Sequence, residues 1–116
     1  MTGFSPAVLG TIGGRSGGVC EVCGANRATQ KHHRRPRRAG GSKRDDTNLA
    51  ANGLDACNYC HDVIEKNRAL AYLVGWLLSD NQLPDQERVL RRGEYVLLDN
   101  DGDIQPDTNS FATQFI

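Results

Sequence analysis

Cys20-Glu-Val-Cys23-Gly24 and Cys57-Asn-Tyr-Cys60-His61 are the stretches that decide how this chain of 116 residues folds. Each holds a Cys-x2-Cys pair, and 33 residues lie between the pairs. Four soft sulfur donors in two such knuckles match tetrahedral zinc, one pair typically from a loop and the other from the start of a helix. A redox dithiol needs only one pair, in a βαβ setting that this sequence lacks. The composition calls for such a brace: 38% of residues are hydrophobic, 24% are charged and 13 are glycine, a thin supply of core. Structural zinc supplies on the order of 10 kcal/mol of apparent folding free energy, and without it the front half is expected to be unfolded.

Outward from the knuckles, the length suits one small α+β domain over residues 1–116 and excludes separate cofactor and substrate halves. The zinc-braced core is expected at about 16–74, with accessory strands and a tail at 75–116. No window approaches the roughly 18–20 apolar residues of a bilayer span, and the N-terminal residues lack a basic region leading into an apolar run. The expectation is a cytoplasmic protein with reduced cysteines and no membrane partner.

Ser5 before Pro6 reads as a helix cap, with a short helix over residues 6–12 ending at Gly13-Gly14. A short strand is expected over residues 29–34. Val63, Ile64, Leu70, Ala71, Leu73 and Val74 carry a helical period, so one helix is expected over residues 61–74 with Gly75 as its cap. Trp76-Leu77-Leu78 and residues 95–98 read as short strands, with Trp76 and Tyr72 in the core. Asp99-Asn-Asp-Gly-Asp103 is no calcium loop, because position six is Ile104 and position twelve is Ser110. It reads instead as a turn joining two strands.

Lys+Arg and Asp+Glu both number 14, yet the charge is uneven: +5 through Ser79 and −5 from Asp80 on. Lys31, Arg34, Arg35, Arg37, Arg38, Lys43 and Arg44 place 7 of those 14 cations within 14 positions. Such a run is a solvated surface or a grip on a polyanion. The three histidines, His32, His33 and His61, all fall inside or beside the cysteine frame. If sulfur fills the zinc shell, His61 is left for a second site.

Together these strings resemble the HNH endonucleases, especially small stand-alone phage proteins in which a four-cysteine zinc site braces a ββα-metal, treble-clef-like fold. The resemblance rests on HHRRPRRAGG from His32, on Asn52 in NGLDACNYCHDVI, and on the paired knuckles, and it spans about residues 16–66. It implies a metal-dependent endodeoxyribonuclease that nicks or cuts DNA with low sequence specificity. His33 would be the general base, and His32 and His61 would hold a catalytic Mg2+, Mn2+ or other divalent cation. Asn52 would fix the loop that orients His33, with Asn48 as its rival. Arg34, Arg35, Arg37, Arg38, Lys43 and Arg44 would grip backbone phosphates. The resemblance also points to phage DNA packaging, with a terminase as partner.

One position departs from that pattern. Some members place another metal-binding His one turn after the match to His61, where this chain has Glu65. Residues i and i+4 share a helix face, so Glu65 can reach the same cation and suits a hard one. The alternative from a different class is a non-catalytic zinc-knuckle module that binds nucleic acid or protein.

Overall fold

The computed structural model describes residues 3–36 and 44–107. Helix α1 spans Pro6–Ser16. Ser5 caps it, its hydroxyl accepting from the Val8 N–H at 3.2 Å, with proline in the first turn. The expected end at Gly13-Gly14 is corrected, because the helix runs through both and closes at Gly17, φ 66°. Arg15 accounts for the extra turn: its guanidinium donates to Glu21 at 2.7 Å, to the Ala50 carbonyl at 3.0 Å and to the Gly53 carbonyl at 2.5 Å. Those bonds outweigh a helix penalty of about 1 kcal/mol per glycine.

Strand β1 (Gln30–His33) pairs antiparallel with β2 (Gly53–Ala56), placing His32 opposite Leu54 and His33 opposite Gly53. A 3-10 turn over Ala50–Asn52 leads into β2. A Cβ at Gly53 would run into Ile12 and Phe4, so the absent side chain is what lets α1 lie directly on this strand pair.

β2 feeds Cys57, the N-cap of α2 (Asn58–Lys66), and α3 (Arg68–Leu73) follows. The single helix expected over residues 61–74 is corrected at both points. It starts earlier because the Cys57 sulfur accepts the Cys60 N–H at 3.4 Å as a cap. It breaks at Asn67, φ −128°, whose backbone N–H and side-chain amide both donate to the Val63 carbonyl, at 2.9 and 3.1 Å, and close α2 there. Gly75 then turns the chain at φ 85°, where any Cβ would strike the Arg88 carbonyl.

Trp76-Leu77-Leu78 is buried but bent rather than a strand, a third correction. Its backbone bonds go to separate elements, the Leu77 N–H to the Ala71 carbonyl at 3.0 Å and the Leu78 N–H to the Arg34 carbonyl at 2.8 Å, so no ladder forms. Beyond it, β3 (Val89–Arg91), β4 (Glu94–Leu98) and β5 (Ile104–Pro106) make an antiparallel sheet in the order β3-β4-β5. Leu98 faces Ile104 across the turn read from Asp101-Gly102, and Asp99 Oδ1 accepts the N–H groups of Asp101 and Asp103 at 2.9 Å each.

The main core joins Leu54 and Ile64 to Ala71, Trp76, Leu77, Val89, Val96 and Leu98. Tyr72 does not join Trp76 there; it is 43% exposed, because α3 turns it outward while Ala71 is fully covered. Side chains from the sheet reach back to the front of the chain. Arg91 Nε donates to Glu21 at 2.8 Å, and Arg92 Nη2 donates to the carbonyls of Ser16 at 2.7 Å and Val19 at 3.0 Å. The result is a small α+β molecule with a radius of gyration of 13.4 Å, as compact as a globule of this length should be.

Candidate functional site

The four cysteines converge, with the sulfurs of Cys20, Cys23, Cys57 and Cys60 all within 4.8 Å of one another. The first knuckle is shaped by the Val19–Arg27 bridge and the left-handed Gly24, φ 70°; the second is the first turn of α2. Backbone donors point at the sulfurs: Cys23 N at Cys20 Sγ, 3.5 Å; Ala25 N at Cys23 Sγ, 3.4 Å; Cys60 N at Cys57 Sγ, 3.4 Å. Asn26 Nδ2 adds a bond to Cys57 Sγ at 3.5 Å. Burial opposes ionisation of Cys57, but the N–H donors of Asn26 and Cys60 prevail and bring the thiol down to about 6. Burial and the crowded sulfurs push Cys60 up. Four thiols so close ionise together only with a cation among them, and the donor set is that of structural zinc.

A second group of donors comes together next to it. One ligand atom each from His32, His61 and Glu65 lies within 4.8 Å of the others. β1 supplies His32, and α2 supplies His61 and Glu65 one turn apart, 3.9 Å between Nε2 and Oε1. His32 is buried, and its Nε2 lies 2.7 Å from the Trp76 carbonyl. A carbonyl can only accept, so Nε2 carries the proton and Nδ1 of the neutral ring keeps its lone pair. Burial, opposed by that hydrogen bond, lowers His32 to about 4, so the ring is neutral at pH 7.

His33, the next residue, ends β1. Its ring stacks on Phe4, centroids 4.0 Å apart and planes within 8°. Nε2 lies 2.9 Å from Asn48 Oδ1. Asn48, the rival for the motif position, is thus the side chain that touches His33. Asn52, fully buried, instead braces the backbone after His33: Oδ1 accepts the Arg35 N–H at 2.7 Å, and Nδ2 donates to the carbonyls of Arg35 at 3.1 Å and Thr47 at 2.8 Å. His32, His33, His61, Glu65, Lys31 and Arg68 line one cleft of about 260 Å3, together with Pro36 and Leu77.

Two of the cations expected on the phosphate-gripping surface are not on it. Arg34 is fully buried, and its guanidinium donates to the carbonyls of Ala51, Gly75, Pro84, Glu87 and Arg88 at 2.8–3.3 Å. Burial, then the nearby Arg15 charge, lowers Arg34 to about 9, and it remains a cation at neutral pH. Arg35 is 2% exposed and tied to Asp46, Thr47 and the Gln82 carbonyl. A charge run says nothing of which guanidiniums turn inward to satisfy carbonyls. Arg44 is partly exposed and bonds to the Asp80 carbonyl, while Arg37, Arg38 and Lys43 lie outside the described residues.

The cleft also holds cations to which the sequence reading gave no place at the site. Arg68 stands seven residues after His61, a spacing that would share its face on the single helix read from the sequence, and here it opens α3 beyond the break at Asn67. Lys31 alternates with His32 on β1 and bonds to Asp55 at 2.7 Å. Phe4 lies too far along the chain from His33 for any local pattern to connect them.

Comparisons with protein-family models, curated proteins and solved structures return no match to this chain. Among the described residues, no helix is long and apolar enough to cross a membrane.

Proposed function

We propose that the protein is a metal-dependent endodeoxyribonuclease of the HNH kind, in which β1, β2 and α2 form a ββα-metal core braced by zinc on the four cysteines. The observation that carries this reading is the shared use of α2. Cys57 and Cys60 in its first turn tie it to one metal-type cluster, while His61 and Glu65 on the same helix meet His32 in a cleft that His33 also lines. Two imidazoles and a carboxylate suit a divalent ion such as Mn2+ or Mg2+, and the outer bond of His32 to Trp76 orients a donor atom as metal sites require. Bound there, such an ion supplies Lewis-acid neutralisation of charge on the phosphoryl oxygens.

The chain's own groups account for the remaining requirements. His33 takes the proton from the attacking water; imidazole is the side chain poised for this near neutral pH. The Phe4 stack and the Asn48 bond hold the ring to one orientation, which limits the entropy lost on reaching the transition state. Arg68 and Lys31 face the backbone phosphates from the cleft wall, contacts that position DNA without reading its bases. A role in phage DNA packaging, in the host cytoplasm with a terminase as partner, follows from the sequence resemblance and is tested by co-purification.

The direct test is nicking of supercoiled plasmid by zinc-loaded protein with added Mg2+, added Mn2+ or neither. The expected outcome is cation-dependent nicking that falls by about 10²–10⁴-fold in His33→Ala. Equal background in both proteins would leave the non-catalytic zinc module as the reading.

A further inference from the structure

We propose that α3 and the hollow beside it form a subsite for one unpaired nucleotide flanking the cut, with Arg68 on its phosphate and Tyr72 stacked on its base. The proposal rests on the endonuclease reading and narrows it to a substrate class: DNA with an unstacked nucleotide at the cleavage point, as in a single strand, rather than uninterrupted duplex.

Arg68 and Tyr72 stand four residues apart on α3 and so share a face, with the guanidinium carbon 5.9 Å from the ring centroid. They line adjoining spaces. Arg68 borders the cleft of His32, His61 and Glu65, whereas Tyr72 borders a hollow of about 310 Å3 closed by Leu78, Ser79 and Asp80. Pro36 lines both, so the cleft and the hollow share a wall. Arg68 donates to Glu65 Oε2 at 3.2 Å, and a guanidinium with five N–H groups has donors left for a phosphate.

The hollow itself suits a base. Ligand pockets run from roughly 300 to 1,000 Å3, so this one is at the scale of a single ring system. Tyr72 offers a half-exposed aromatic wall and Leu78 a buried apolar floor. Asp80 on the rim disfavours a second phosphate there and leaves the space to the uncharged part of the nucleotide. In duplex both faces of a base are already stacked, and withdrawing one is least costly where the strand is unpaired.

The test uses zinc-loaded protein without Mg2+ or Mn2+, so that binding is read apart from cleavage, and single-stranded oligonucleotides with 2-aminopurine at successive positions. Expected are a stacking-dependent fluorescence change at a defined position, affinity above that for the matching duplex, and a loss of roughly 5- to 150-fold in Tyr72→Ala that Tyr72→Phe restores. Arg68→Gln should reduce the salt dependence by about one phosphate contact. Zinc content and circular dichroism of each variant establish that it is folded. Equal affinity for duplex, or Tyr72→Ala binding like the parent, would overturn the subsite while leaving plasmid nicking untouched. Tyr72-dependent binding without nicking under any cation would uphold the subsite and remove the nuclease.

Discussion

Arg34 is the residue whose chemistry is least visible in the string of letters around it. It sits in a basic run beside two histidines, yet its five carbonyl partners tie together four separate stretches of backbone: the turn before β2, the corner after α3, and the segments at Pro84 and Glu87-Arg88. Arg34→Met is expected to cost at least about 3 kcal/mol, measured by urea unfolding, because buried carbonyls lose their donors with no water to replace them. Arg34→Lys should recover only part of that, since an ammonium cannot fork among divergent acceptors. The two asparagines separate along similar lines. Asn48→Ala is expected to lower nicking with little change in unfolding midpoint, whereas Asn52→Ala should lower stability by about 1–3 kcal/mol, its removal leaving the buried Arg35 N–H and carbonyl without their partner. The reverse pattern would return the catalytic duty to Asn52. Residue types and spacing were enough to select both asparagines as candidates; which one touches His33 depends on the loop path, which no spacing encodes.

Among the elements, those with a local cause were legible and those made by long-range contacts were not. The Ser5-Pro6 cap starts α1 as read, but its last turn exists because Arg15 reaches Glu21 and β2. The sulfur that caps α2 is also what a metal would bind, so the helix begins at the knuckle rather than after it. β2 carries no signature at all: all four residues of Gly53-Leu54-Asp55-Ala56 are buried, so nothing alternates. The corner after α3 turns on Gly75, where a left-handed backbone and the facing Arg88 carbonyl both exclude a side chain. Gly75→Ala should therefore lose at least about 2 kcal/mol in thermal or urea unfolding. A loss below about 0.5 kcal/mol would mean that this corner is free to shift.

At the scale of the whole molecule, the four-cysteine cluster and the sheet hold the same knuckle from two sides. Cys57 and Cys60 approach it from α2, and Arg92 grips the carbonyls of Ser16, Val19 and Cys20 from beyond β3. Chelating the zinc is expected to release Cys20 and Cys23 and to abolish cooperative unfolding of the front half, seen as loss of the helical signal at 222 nm, with metal analysis reading one zinc per chain before treatment. An undiminished spectrum after zinc is removed would show that the sheet suffices. The uneven charge of the two halves, legible from composition, says nothing of the cations at Arg91 and Arg92, which the acidic half lends back to the knuckle.

The bond from His32 to the Trp76 carbonyl has a practical corollary. That carbonyl is held in place by the indole of the same residue, which donates to Leu90 at 2.7 Å in β3. The stretch that holds the cysteines and histidines is therefore not a portable cassette: grafted onto another scaffold as residues 16–74, it would leave behind the carbonyl that sets its first histidine, and with it that ring's tautomer.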